Sequence, residues 1–243
     1  MSFFKVQNVL LLGVIGFYLY LIVEQKHDKL KELIKPIVVF SMSIFFLINV
    51  RSNLNAQSIL ISVGLFLSSV GDYFLIEDKN LIQGIASFAL AHFCFMGSFL
   101  GDIFSSNKQD KKGTGFVYQV LACAIYLITY KSFSFLSGFI PTEFFVPVAV
   151  YSLILSTMVA LALFRHNKVG SGAFFLSTFG ALLFAVSDSV LSFSLFMPGV
   201  KGVKSEFVVM LTYYLAELFI FDGAVVHFSN KKKAATSKGE KQN

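Results

Sequence analysis

The chain is predicted to be an all-α polytopic membrane protein, a bundle of eight transmembrane helices. Three observations carry that expectation. The 243 residues are 56% hydrophobic and 14% charged, where a soluble domain carries about 25% charged residues. Eight stretches approach or reach the roughly 20 apolar residues that a spanning helix needs. These runs are continuous, without the period-2 alternation of a barrel strand, and backbone groups in lipid must then be satisfied within helices. The same composition excludes a disordered chain, a disulfide scaffold and an ordinary cytosolic enzyme.

The first predicted span, Val6–Val23, follows a lone Lys5 and ends without a small-residue cleavage site, so it reads as a retained helix and not a signal peptide. The second is Leu33–Val50. The third, Gln57–Ile76, carries Ser68, Ser69 and Asp72. The fourth, Leu81–Ile103, carries His92 and a G-x-x-x-G spacing at Gly97 and Gly101, which offers a close-packing face. The fifth and sixth are Gly115–Tyr130 and Phe144–Phe164. The seventh, Gly172–Phe196, holds Asp188 among Ser187, Ser189 and Ser192. The eighth, Phe207–Phe228, holds Tyr213, Tyr214, Glu217 and Asp222. Residues 1–230 thus form one eight-span domain, followed by a polar, lysine-rich tail over 231–243, expected to be mobile. Pro36, Pro141, Pro147 and Pro198 all fall near span ends.

Eight spans place both termini on one side. Twelve Lys and Arg residues fall on that side and eight on the other, which favours cytoplasmic termini. The net charge of +6 therefore reflects topology and is no nucleic-acid signature. Cys94 and Cys123 lie inside apolar runs, so no disulfide framework is expected. The phenylalanines are expected as lipid-facing and core filler.

Ionisable residues deep in a membrane are costly and mark function by default. Asp72, His92, Asp188, Glu217 and Asp222 are the candidates. Counting about 1.5 Å per residue from the side of the loops Glu77–Asn80 and Met197–Glu206, Asp72 lies about 7 Å deep and Tyr214 about 11 Å. His92, Asp188 and Glu217 lie about 13–16 Å deep. All fall in one half of the membrane, whereas Asp222 lies toward the opposite face. Tyr213 and Tyr214 stand four and three residues before Glu217 and so neighbour it on the helix. Asp102, Asp110, Glu77 and Asp78 lie near span boundaries and are expected to be solvated.

The segments Val70-Gly71-Asp72-Tyr73-Phe74-Leu75 and Val186-Ser187-Asp188-Ser189-Val190-Leu191 share the pattern V-small-D-x-x-L, four spans apart. That suggests two parallel four-helix halves related by an axis along the membrane normal. Two carboxyl groups in one low-dielectric cavity do not readily ionise together, so one is expected to act as acid and the other as base. His92 adds a proton carrier. The set suits hydrolysis that begins with protonation of a substrate oxygen or carbon. No H-x-x-x-H or C-x-x-C spacing supports a metal site, and no cofactor is implied. There is no G-x-S-x-G elbow and no phosphate loop.

At these residues the chain resembles the lysoplasmalogenase (YhhN-like) family of integral membrane proteins. The resemblance rests on Gly71-Asp72-Tyr73-Phe74-Leu75, Ala91-His92-Phe93, Ser187-Asp188-Ser189-Val190-Leu191 and Tyr213-Tyr214-Leu215-Ala216-Glu217, and extends over most of the eight-span region. It implies hydrolysis of the vinyl-ether bond of a lysophospholipid substrate, the alkenyl glycerophosphocholine or glycerophosphoethanolamine, with a fatty aldehyde as one product. On this reading Asp72, Asp188 and His92 are catalytic, and Tyr213, Tyr214 and Glu217 bind or position substrate. One departure is Glu217, where the family is expected to carry glutamine; an amide there argues for hydrogen bonding and not acid catalysis. The resemblance further implies the endoplasmic reticulum for a eukaryotic source and the inner membrane for a bacterial one. Apart from the substrate and membrane lipid, no partner is implied and oligomeric state is not set. Two other classes fit the buried carboxylates: a transporter or channel, and a lysolipid-binding protein without turnover. Helix breaks at Gly or Pro would favour a transporter, but none of the four prolines falls at midspan.

Overall fold

The computed structural model describes residues 3–25, 28–106 and 114–239. Their regular structure is helical throughout: α1 (Phe3–Glu24), α2 (Asp28–Val50), α3 (Ala56–Phe74), α4 (Leu81–Ser105), α5 (Thr114–Leu136), α6 (Thr142–Phe164), α7 (Ser171–Phe196) and α8 (Val203–Gly239). Eight helices are long and apolar enough to cross a membrane, and the chain is a multi-pass integral membrane protein. Each predicted span falls inside one helix, except that α3 ends at Phe74, two residues short of its predicted limit.

Local chemistry sets several boundaries. Asn55 Oδ1 accepts from the Ser58 backbone N–H, and Ser58 Oγ accepts from that of Asn55, both at 2.9 Å. This reciprocal cap starts α3. Gly199, at φ 79°, makes the turn between α7 and α8, a backbone region that favours glycine. At the other end α8 runs through the lysine-rich tail to Gly239. Lysine and alanine are good helix formers, so Lys231–Ala235 extend the helix instead of ending it. Asp110 lies outside the described residues.

Packing follows small residues. Every buried position of α3, from Ser58 to Asp72, is serine, glycine, aspartate, leucine or isoleucine. Phe95 of α4 sits where a Gly64 side chain would be, and Phe88 sits likewise over Gly71. Two knobs seven residues apart thus meet two notches seven residues apart. The predicted Gly97–Gly101 face also turns to α3, against Leu60 and Gln57. The closest backbone approach joins α7 to α8. A Cβ on Gly180 would stand 2.8 Å from Ala216 O, and one on Gly223 2.9 Å from Ser177 N. Between helices in lipid, where burial from water no longer drives association, such contacts supply much of the attraction. The outward residues of α5, including Phe116, Leu127, Ile128 and Tyr130, remain exposed and face the lipid.

Neighbours recur four helices on. α2 packs on α3 and α6 on α7; α3 packs on α4 and α7 on α8. The halves meet where α4 lies against α6 and, in the corresponding place, α8 against α2. The repetition is partial, since α1 also packs on α8 whereas α5 packs on α7.

Asp102 departs from expectation. It is 2% exposed and not solvated. Arg165 donates to Asp102 Oδ2 from Nη2 at 2.9 Å and from Nε at 3.2 Å. Gln57 and Lys231 reach Oδ1 at 2.9 and 3.1 Å. His227 Nε2 lies 2.8 Å from Oδ1, outside hydrogen-bond geometry. Helices α3, α4 and α8 and the end of α6 are thereby tied together at the end of the bundle away from Asp72. The partners come from distant segments, so proximity to the end of α4 gave no hint of burial.

Candidate active site

Asp72 sits in the last turn of α3, and Asp188 lies two turns inside the end of α7. Both line one cavity of about 670 Å³, within the roughly 300–1,000 Å³ usual for small-molecule sites. Its wall includes Tyr18, Lys35, Phe88, Leu191, Met210 and Tyr213. Its mouth is built from the loops after α3 and α7 and the starts of α6 and α8, where Glu77, Pro141, Lys201 and Glu206 contribute. This is the side from which the depth of the polar residues is counted above.

Each aspartate is held by a tyrosine from another helix. Tyr213 Oη donates to Asp72 Oδ2 at 2.8 Å. Tyr151 Oη donates to Asp188 Oδ2. In both carboxylates Oδ1 has no hydrogen bond among the described residues and is available to whatever enters the cavity. His92 Nε2 stands 2.9 Å from Tyr151 Oη and 3.9 Å from Asp188 Oδ2. The single tyrosine hydrogen points to Asp188, so Nε2 carries the hydrogen that Tyr151 Oη accepts. The result is a chain from His92 through Tyr151 to Asp188. Phe184 and Phe95 enclose the ring, with the Phe184 centroid 4.7 Å away. The pseudo-symmetry extends here: Asp72 on α3 faces α8, and Asp188 on α7 faces α4.

The six sequence-predicted site residues divide. Asp72, Asp188 and Tyr213 line the cavity. His92 reaches it through Tyr151. Tyr214 and Glu217 are fully buried and are not part of the wall. Tyr214 Oη donates to Lys35 O at 3.2 Å and braces α2. Both Glu217 oxygens are buried without a hydrogen bond; the Ser68 hydroxyl lies beside them but outside bonding geometry. Asp222 is elsewhere, accepting from Asn8 Nδ2 at 2.9 Å on each oxygen, which fastens α8 to α1. Among the described residues no group of three His, Cys, Asp or Glu side chains could hold a metal ion.

Two residues escaped the sequence reading. Tyr151 is an unremarked tyrosine in an apolar span, and Lys35 reads as a loop-side cation. Tyr151 precedes Asp188 by 37 residues, and Lys35 precedes Asp72 by the same 37. The two residues thus share a spacing to their aspartates, though not a residue type.

Asp188 also borders two smaller clefts. One, of about 60 Å³ between α5, α6 and α7, has a mainly apolar wall in which Thr129, Ser132, Ser152, Ser156, Ser189 and Ser192 also stand. The other, of about 40 Å³, is lined mainly by apolar residues, including Leu75, Ile85, Val148 and Leu195. The carboxyl thus stands where the main cavity and the two clefts meet.

The chain matches the YhhN family over residues 30–224. A pig (Sus scrofa) protein named lysoplasmalogenase TMEM86B is 25% identical over 205 residues, covering 84% of this chain and 79% of its own. The human protein of that name is 30% identical over 161 residues, covering 66% and 61%. A Mycobacterium bovis protein named lysoplasmalogenase is 29% identical over 166 residues, covering 65% and 58%. The chain thus spans about six-tenths of the human and mycobacterial proteins. No solved structure matches it.

Proposed function

Because this chain belongs to the YhhN family, we propose that it is a lysoplasmalogenase, an ether hydrolase that cleaves the vinyl-ether bond of alkenyl glycerophosphocholine or glycerophosphoethanolamine. The observation that carries this reading is the convergence of Asp72 and Asp188, from helices four spans apart, on one cavity. Relatives named lysoplasmalogenase from animals and bacteria support it.

The reaction needs a proton on carbon, then a cation stabiliser and a water. A carboxylic acid protonates the outer alkene carbon, and the carbon next to the ether oxygen becomes an oxocarbenium-like cation. The second carboxyl, ionised, stabilises that cation and takes a proton from the attacking water, as in a glycosidase pair. The hemiacetal then collapses to a fatty aldehyde and the glycerol hydroxyl of the phospholipid head. Asp72 and Asp188 share these two roles.

The His92–Tyr151–Asp188 chain suits a group that must gain and lose a proton. With an imidazolium at His92, shifting one hydrogen from Nε2 to Tyr151 Oη and one from Tyr151 Oη to Asp188 Oδ2 leaves a neutral imidazole and a carboxylic acid. No proton has to cross lipid. Tyr213 holds Asp72 in place, and Tyr214 and Glu217 act behind the wall as positioning residues. The apolar cleft beside Asp188 accommodates the start of the alkenyl chain. The cleft between α5, α6 and α7, at about 60 Å³, is large enough to admit water.

Both termini lie in the cytoplasm on this reading, and the cavity opens to the other face. Aldehyde release from an alkenyl lysophospholipid by the purified protein tests the proposal; absence of release from a folded preparation that binds lysolipid overturns it.

A further inference from the structure

We propose that Lys35 is the head-group residue of this site and binds the phosphate of the substrate; the assignment rests on the lysoplasmalogenase reading. Lys35 lies in the second turn of α2 and lines the same cavity as Asp72 and Asp188. Its position is fixed on both sides. Tyr214 Oη holds the Lys35 carbonyl at 3.2 Å, and Ser69 Oγ holds the Pro36 carbonyl at 2.8 Å. Pro36 itself fixes the local φ. Helices α3 and α8 thus clamp the backbone that carries this lysine.

Its ammonium makes no hydrogen bond or ion pair among the described residues. The half-buried ammonium has Asp72 as an electrostatic neighbour but no bonded partner, and on a cavity wall within a membrane span it offers a place for an anion. A phosphodiester supplies one negative charge and two acceptor oxygens, which suits a lysine acting as a point charge. Order along the cavity agrees with a zwitterionic head. Asp72, Asp188 and Lys35 line the helical wall, and Glu77 and Glu206 come from the loops and the start of α8 at the mouth. A lysolipid with its ether carbon at the aspartates presents phosphate next and amine last. The amine then reaches a mouth of mixed charge, where Glu206 and Glu77 stand with Lys201 and Glu77 is paired with Lys79 at 2.9 Å.

Lys35 occupies in the first half the register that Tyr151 occupies in the second, 37 residues before the aspartate. One half relays a proton at that position; the other holds an anion. Simple neutralisation of Asp72 by Lys35 is the competing role, and it makes a different prediction: loss would then be equal for all substrates.

Three substrates with the same alkenyl chain separate the two: one with a phosphoethanolamine head, one with phosphate alone, and the alkenylglycerol without phosphate. Wild type, Lys35→Gln and Lys35→Arg are compared by aldehyde release. Wild type favours the two phosphorylated substrates. In Lys35→Gln the ratio of kcat/KM for phosphorylated over phosphate-free substrate falls by about 10- to 100-fold, the loss of one charge-assisted contact, and the change sits in KM. Lys35→Arg keeps the ratio within about threefold, since the charge is retained. A ratio unchanged in Lys35→Gln, or wild type that does not discriminate, overturns the assignment. If wild type releases aldehyde from none of the three, the enzymatic reading falls. The head-group assignment is then decided by binding of the non-hydrolysable alkyl-ether analogues to the wild type and Lys35→Gln. An equal fall in affinity for phosphorylated and phosphate-free analogues overturns it.

Discussion

Tyr151 donates a hydrogen bond to Asp188 Oδ2 from the neighbouring helix α6, and its own oxygen receives His92 Nε2 at 2.9 Å. One hydroxyl therefore links the only histidine near the cavity, among the described residues, to the carboxyl at its centre. Replacing it removes the link and little else. Tyr151→Phe is expected to lower kcat by about 10- to 100-fold, the value of a hydrogen bond to a charged group. KM is expected to change by less than about threefold, because the ring stays in place. Steady-state aldehyde release checks this, and a rise in KM at constant kcat would place Tyr151 in binding instead.

Glu217 is expected to tolerate its amide. Its carboxyl is wholly buried and makes no hydrogen bond, and it lies outside the cavity wall. Glu217→Gln keeps shape and removes a buried group that can ionise. Activity within about threefold of wild type and an equal or higher melting temperature are expected. A loss of about 100-fold or more would make Glu217 an acid or base of the reaction.

Asp102 is a stability residue far from the chemistry. Removing one partner from a buried ionic cluster leaves uncompensated charge, which costs about 3–5 kcal/mol. Asp102→Ala strands Arg165, itself 2% exposed and already carrying an unpartnered Nη1. A markedly lower melting temperature in detergent is expected. An unchanged melting temperature would mean the cluster contributes nothing.

Gly180 carries the α7–α8 contact. A β-branched side chain there meets the Ala216 carbonyl and the Ile220 backbone nitrogen, which cannot rotate away. Gly180→Val is expected to cost about 1–3 kcal/mol through overpacking, and Gly97→Val much less, since Gly97 faces only the flexible Leu60 side chain. Parallel thermal unfolding of the two variants tests the ranking.

Much of this architecture is legible in the residues. Lipid forbids unpaired backbone, so apolar length alone locates eight helices. The cost of charge in lipid picks out Asp72, Asp188 and His92. What cannot be read is which distant segments meet. Asp102 looks solvated until Arg165, His227 and Lys231 arrive from helices far along the chain. Tyr151 is silent until Asp188 is placed beside it. Glu217 looks like a site residue because it shares a helical face with Tyr213, yet only Tyr213 reaches the cavity. The close approach at Gly180 and Gly223 lacks a short spacing on one helix and so escapes the G-x-x-x-G pattern. The long-range signal the residues do carry is the V-small-D-x-x-L pattern shared by Asp72 and Asp188.

The central claim is that the two aspartates do the chemistry. It is tested by measuring aldehyde release from an alkenyl lysophospholipid by purified wild type, Asp72→Asn and Asp188→Asn, with the acyl analogue as control. Alkenyl-selective release in the wild type, reduced by at least about 100-fold in each folded variant, is the expected result for loss of a general acid or base. Near wild-type release from both variants would contradict the account.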